Sequence, residues 1–206
     1  MISTRHARGV LAGSEDFDGN YGQFCRADVE TETAWFPVQT THTTNTSSET
    51  VSTIRFPMHP FLGIMDVTTA SNQRPSSIPP ADYGGNIDLR NLTVESTLFL
   101  PVQIEGAGLY IGNPHFTQGN GEVSLTALEA SLRATLRVQV VPTAEAKRLF
   151  GRTDLPFAIS HGTLIPMGFS STLDDALSQS VEHAIDMITA MFEMPRQQVY
   201  LLLSAA

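Results

Sequence analysis

Gly112-Asn113-Pro114-His115-Phe116-Thr117-Gln118-Gly119-Asn120-Gly121-Glu122 is the stretch on which the reading of this chain turns. It holds one imidazole, one carboxylate and three side-chain amides. Glycine and proline fill four more of its places, residue types that let a backbone turn sharply and approach a ligand. The segment before it, Gly108-Leu109-Tyr110-Ile111, reads as a buried strand. Polar groups gathered on a turn between strands point to a site, since a plain connector needs only its turn residues.

The alternation of short apolar runs with turns extends outward from that stretch. Ile54 to Met58, Phe61 to Val67 and Leu98 to Ile104 read as strands, the last reaching a turn at Glu105-Gly106. Downstream, Leu132, Ala134, Leu136, Val138 and Val140 alternate with Arg133, Thr135, Arg137 and Gln139, the period of a half-buried strand. Thr40 to Ser52 reads as a polar surface loop. Thr68 to Gly85 is a connector long enough to suggest a functional role.

The C-terminal part changes period. Thr172 and Asp175 can form a capping box. Leu173, Ala176, Leu177, Val181, Ala184, Ile185, Ile188 and Phe192 recur at three- and four-residue spacing, predicting an amphipathic helix that ends near Glu193. Pro195 suits the first turn of a second helix carrying Val199, Tyr200 and Leu203. The expected class is mainly β or α+β, with a helical hairpin at the end.

Composition narrows the function. The 206 residues carry a net charge of −9, and their twelve Lys and Arg residues are scattered. No basic stripe is available for phosphates, which argues against nucleic acid or an anionic membrane as a partner. The single cysteine, Cys25, excludes an internal disulfide framework and a multi-cysteine metal site. The expected location is the cytoplasm.

Two polar clusters carry chemistry: Tyr83-Gly84-Gly85-Asn86-Ile87-Asp88, and the opening stretch with Asn113, His115, Gln118, Asn120 and Glu122. Imidazole and carboxylate together suit zinc. Carboxylate and carbonyl oxygens alone suit calcium better. Glu122 could take a proton from a metal-activated water. Asp88 reads equally well as a brace of its turn, and Gly84 and Gly85 as turn residues. His59 reads as structural, His161 as a loop residue and His183 as exposed on its helix. Met167, Met187, Met191 and Met194 read as core filling.

The blocks Arg55 to Met65, Tyr83 to Asp88, Leu98 to Val102, Gly112 to His115 and Gln118 to Glu122 occur in an order that resembles the acetamidase/formamidase family. The Leu173 to Ala176 segment is similar as well. The resemblance implies a β-sandwich with an added helical hairpin over 51–206, preceded over 1–50 by a partial N-terminal β segment and a polar loop. It implies hydrolysis of formamide or acetamide to ammonia and carboxylate by a cytoplasmic homo-oligomer containing a divalent metal, zinc or calcium. Asp88, His115, Asn113 and Asn120 would surround the metal. Glu122 and His115 would be catalytic, and Asn86, Gly84, Gly85 and Gln118 would meet the substrate. The family pattern has acids where this chain has Asn113 and Asn120, and it is longer at both ends. The alternative is therefore an impaired, truncated paralogue that serves as a ligand-binding or interaction subunit.

Overall fold

The computed structural model describes residues 2–3, 26–28, 30–39, 51–123 and 125–206. Cys25 and residues 40–50 of the expected polar loop lie outside them. In chain order the strands are β1 (Ile2–Ser3), β2 (Arg26–Asp28), β3 (Thr33–Gln39), β4 (Val51–Pro57), β5 (Phe61–Asp66), β6 (Gly84–Asn86), β7 (Thr97–Phe99), β8 (Tyr110–Thr117), β9 (Leu128–Glu129) and β10 (Arg133–Ala134). Helix α1 (Thr143–Phe150), β11 (Phe157–Ser160), β12 (Thr163–Pro166), α2 (Leu173–Phe192) and α3 (Arg196–Ala205) follow. Every strand pairing described is antiparallel. The class is α+β.

The chain forms two interleaved compact units. The first comprises residues 1–63, 88–94 and 112–135, the second 64–87, 95–111 and 136–206. In the first, β3 pairs with β2 and with β4, the latter from Thr33↔Pro57 to Gln39↔Val51. β8 pairs with β9, with a register shift between His115 and Thr117. Ala34, Met58, Phe116 and Leu128 form this unit's buried cluster, flanked by Phe56, Ala130 and Leu132.

The second unit packs on aromatic rings. Phe99 of β7 stacks on Phe157 of β11 with centroids 4.3 Å apart, and Phe150 at the end of α1 leans against both. Helix α2 begins as its sequence predicts: Thr172 Oγ1 accepts from the Asp175 backbone N–H. Its last turn is followed by Glu193 in the left-handed conformation. Pro195 stands at the N-cap of α3, one position before the expected first turn. Arg196 ties the hairpin back to Asp186 and Glu182 of α2.

Several expectations are corrected. The strand expected over Leu132–Val140 is reduced to β10, and Leu136, Val138 and Val140 are exposed. Among the described residues no strand pairs with 136–140, and alternation makes a strand only where a neighbour takes up the backbone hydrogen bonds. Leu98–Ile104 shrinks to β7, because Pro101 has no N–H to continue a ladder. Helix α1 was not anticipated. Its eight residues follow Pro142, which supplies no side-chain cap. Met191 is partly exposed, whereas Met167 and Met187 are buried as expected.

His183 is fully buried and not exposed on its helix. Its Nδ1 lies 3.1 Å from the Met167 carbonyl, an acceptor, so Nδ1 carries the proton of the neutral ring and donates it. Nε2 is buried without a hydrogen-bond partner. Protonating it would bury an unpaired N–H and a charge, and burial accordingly holds the pKa below the ordinary histidine value. The unfolded chain, titrating at about 6.5, then binds more protons than the folded one as pH falls through that value. The stability that a neutral His183 contributes is thus complete above about pH 6.5 and is lost progressively below it. Denaturant unfolding of the parent and of His183→Leu at a series of pH values is expected to show the parent losing more stability than the variant as pH falls below about 6.5.

Candidate active site

The site is built within the first unit from the first half of β5, residue 88, the part of β8 from Gly112, the turn after it and β9. Asp88 adopts a left-handed backbone conformation (φ 49°). Its N–H donates to the Gly63 carbonyl at 3.0 Å, and its own carbonyl accepts from Gln118 Nε2 at 2.7 Å. With both backbone groups held, its side chain has a defined origin. Gly63 has no side chain where one would collide: a Cβ there would land on Asp88 Oδ1 and Asn113 Oδ1.

β8 carries His115, fully buried, with Phe61 edge-on to its ring at 4.9 Å. The first half of the opening stretch is therefore strand, and only residues after Thr117 turn. This corrects the expectation of a turn throughout. Asn113 sits within β8 at φ 48°, a bend that precedes Pro114.

Among the described residues, Asp88, His115 and Glu122 each offer a donor atom, and these atoms lie within 4.8 Å of one another. Donors on opposite sides of one ion bound at about 2 Å are separated by about 4 Å. Asp88 Oδ1 and His115 Nε2 are buried and have no hydrogen-bond partner. Two orphaned buried atoms of complementary ligand type, next to a second carboxylate, fit a divalent cation.

A fourth group completes the cluster. Glu129 faces His115 across the β8–β9 pairing and brings Oε2 to 3.3 Å from Nε2. Asn113 Nδ2 donates to that same oxygen at 3.2 Å. Glu122 Oε1 lies 3.9 Å from Nε2. Sequence reasoning missed Glu129 because nothing local marks it. Its role comes from the strand register.

The charges act on one another. Burial raises the Asp88 carboxyl, the imidazole of His115 lowers it and Glu129 raises it further, leaving it high. Burial also raises Glu122, reinforced by Asp88 and Glu129 against the lowering effect of His115. For His115, burial pushes the pKa down, but Glu129, Asp88 and Glu122 outweigh it and hold it up. Three carboxylates around one imidazole make a site that attracts positive charge.

The other expected residues divide. Gln118 is buried, with its amide directed at Asp88 and His115. Asn120 is exposed, and its Oδ1 accepts from Arg90 Nη1 at 3.0 Å. Gly84, Gly85 and Asn86 belong to the second unit. Both glycines have positive φ, and Asn86 Nδ2 donates to the Ile78 carbonyl at 3.2 Å.

The chain is thus an α+β protein that gathers one imidazole and three carboxylates, from residue 88, β8, the turn after it and β9, into one cluster. The chain belongs to the Acetamidase/Formamidase family, whose model matches residues 67–206. It is 46% identical over 48 residues to a formamidase of Methylophilus methylotrophus, covering 23% of this chain and 12% of that protein. It is 44% identical over 54 residues to an acetamidase of Mycolicibacterium smegmatis, covering 26% and 13%. The solved acetamidase of Yersinia enterocolitica shares the fold with a TM-score of 0.59 at 24% identity, over 74% of this chain and 44% of that one. The chain thus spans less than half the length of that relative. No helix of the described residues is long and apolar enough to cross a membrane.

Gly63 provides a direct check of the geometry. Gly63→Ala is expected to lower stability by about 1–3 kcal/mol through forced displacement of Asp88 and Asn113. Gly119, whose added Cβ would meet only ordinary contact at 3.7 Å, is the control. Gly119→Ala should stay within about 0.5 kcal/mol of the parent. Thermal unfolding of the two variants makes the comparison.

Proposed function

We propose that the chain hydrolyses small aliphatic amides, with a divalent cation held by Asp88 and His115 and with Glu122 handling the proton. The observation that supports it best is the pair of orphaned buried donors, Asp88 Oδ1 and His115 Nε2, beside Glu122. The donor set suits zinc: one imidazole nitrogen with carboxylate oxygens. When bound, such an ion supplies Lewis acidity toward an amide carbonyl and makes water a better nucleophile.

The chain's own groups perform the remaining work. Asp88 and His115 hold the charge centre in a fixed position, since the Asp88 backbone is clamped and the His115 ring is packed against Phe61. Glu122 is the most suitable proton carrier. Its carboxyl is held above the ordinary range by burial and by Asp88 and Glu129, which favours its Oε1 accepting a proton and returning it to a departing amine. Glu129 stands on the same side of the imidazole, with its Oε2 3.3 Å from Nε2.

A second reading has its own support. Asn113 and Asn120 stand where the family resemblance implies acids, and Asn120 is engaged with Arg90 on the exposed turn. In that reading the chain is an impaired relative that binds a small ligand or a partner chain.

Metal analysis combined with ammonia release from formamide and acetamide tests both. The first reading expects bound zinc and turnover, with metal lost in Asp88→Asn. It expects turnover reduced about 10²–10⁴-fold in Glu122→Gln. Turnover only in the double variant Asn113→Asp, Asn120→Asp would favour the impaired relative. Neither metal nor ammonia from either protein would overturn the enzyme reading.

A further inference from the structure

We infer that Gln118 is a positioning residue that fixes the tautomer of His115, leaving Nε2 as a bare donor aimed at the carboxylate cluster. Gln118 has two chemically different ends, and the structure distinguishes them. The Asp88 main-chain oxygen can only accept, so the Gln118 atom 2.7 Å from it must be the amide nitrogen. The other end is then Oε1, also an acceptor, and it lies 3.2 Å from His115 Nδ1. A contact between Oε1 and Nδ1 is attractive only when Nδ1 carries the hydrogen. In the neutral ring Nε2 is then unprotonated.

That assignment explains an otherwise odd feature. Nε2 is buried, 3.3 Å from one carboxylate and 3.9 Å from another, and makes no hydrogen bond. An Nε2–H would have two acceptors to choose between. A bare lone pair facing anions calls for positive charge, a proton or a metal ion, which is why the same carboxylates hold the His115 pKa up. Gln118 thus connects two parts of the cluster: it takes the Nδ1 proton of one expected ligand and fastens the backbone of the other, Asp88. A histidine that ligates a metal is oriented in this way by an acceptor on its second nitrogen. Here the acceptor is an uncharged amide, so it directs the ring without adding a further negative charge to Asp88, Glu122 and Glu129.

The inference rests on reading the cluster as a cation site, and its two halves are measured separately. Nitrogen-detected NMR of the metal-free full chain, at alkaline pH where the ring is neutral, reads the His115 tautomer directly. Competition of the chain with a chromogenic chelator for zinc alone reads affinity. The expected results are a protonated Nδ1 in the parent chain and a mixed tautomer in Gln118→Met. Zinc binding in that variant should be weaker by about 10–100-fold. Gln118→Glu, whose carboxylate oxygen also accepts from Nδ1, should restore the parent tautomer. A proton on Nε2 in the parent chain overturns the inference whether or not the variants fold. So does a folded Gln118→Met with unchanged tautomer and zinc affinity. The expected tautomer without zinc binding in the parent overturns the cation reading and leaves the role of Gln118 in orienting the ring intact.

Discussion

The site depends on how residue 88 is held. A non-glycine residue in the left-handed conformation is strained, and it persists only where its surroundings hold it there. At Asp88 the Gly63 carbonyl takes the N–H and the Gln118 amide takes the carbonyl oxygen. One clamp therefore draws together the first half of β5, the segment beginning at 88 and the turn that follows β8. The missing side chain of Gly63 leaves room for the Asp88 and Asn113 oxygens. If the clamp loosened, Asp88 would lose its direction, and Gln118 would lose the contact that orients its amide toward His115.

Electrostatics then sets the character of the cluster. Burial raises the Asp88 and Glu122 carboxyls, and the neighbouring carboxylates add to it: Glu129 for Asp88, Asp88 and Glu129 for Glu122. The imidazole offsets part of that cost. Asn113 offsets more of it: its amide donates to Glu129 Oε2, the oxygen nearest His115 Nε2. An acid at position 113 would oppose Glu129 where the amide now bonds to it. The uncharged amide at 113 is thus coupled to how Glu129 sits, and the two positions cannot be judged separately. Asn120 differs, because on the exposed turn its partner is Arg90.

Legibility varied with how local the responsible physics is. The start of α2 was readable because a cap is a contact between Thr172 and Asp175, three residues apart. The strand expected over Leu98–Ile104 ran through Pro101, whose missing N–H stops the ladder at β7. His183 was misread because its helical neighbours are mixed, and only the Met167 carbonyl makes its burial tolerable. The alternation over Leu132–Val140 suggested a strand that most of the segment does not form, since a pattern cannot supply a neighbouring strand. In the site, His115, Glu122 and Asp88 stood out by residue type and by the motifs around them. Glu129 did not, because its relation to His115 is a cross-strand pairing that skips over a turn.

By itself, then, the sequence determined the family, the α+β class, the helical end and the chemical identity of the site's main groups. These depend on residue type and on spacings of a few positions. Tertiary structure alone decided which groups converge: Glu129 onto His115, Asn113 onto Glu129, Gln118 onto both His115 and the Asp88 backbone. It also turned Asn120 toward Arg90 and buried His183. Each of these is a contact between separated segments, set by strand register, a left-handed backbone and the space left at Gly63. Local spacing carries no information about such distances, because they are defined only once the chain has closed on itself.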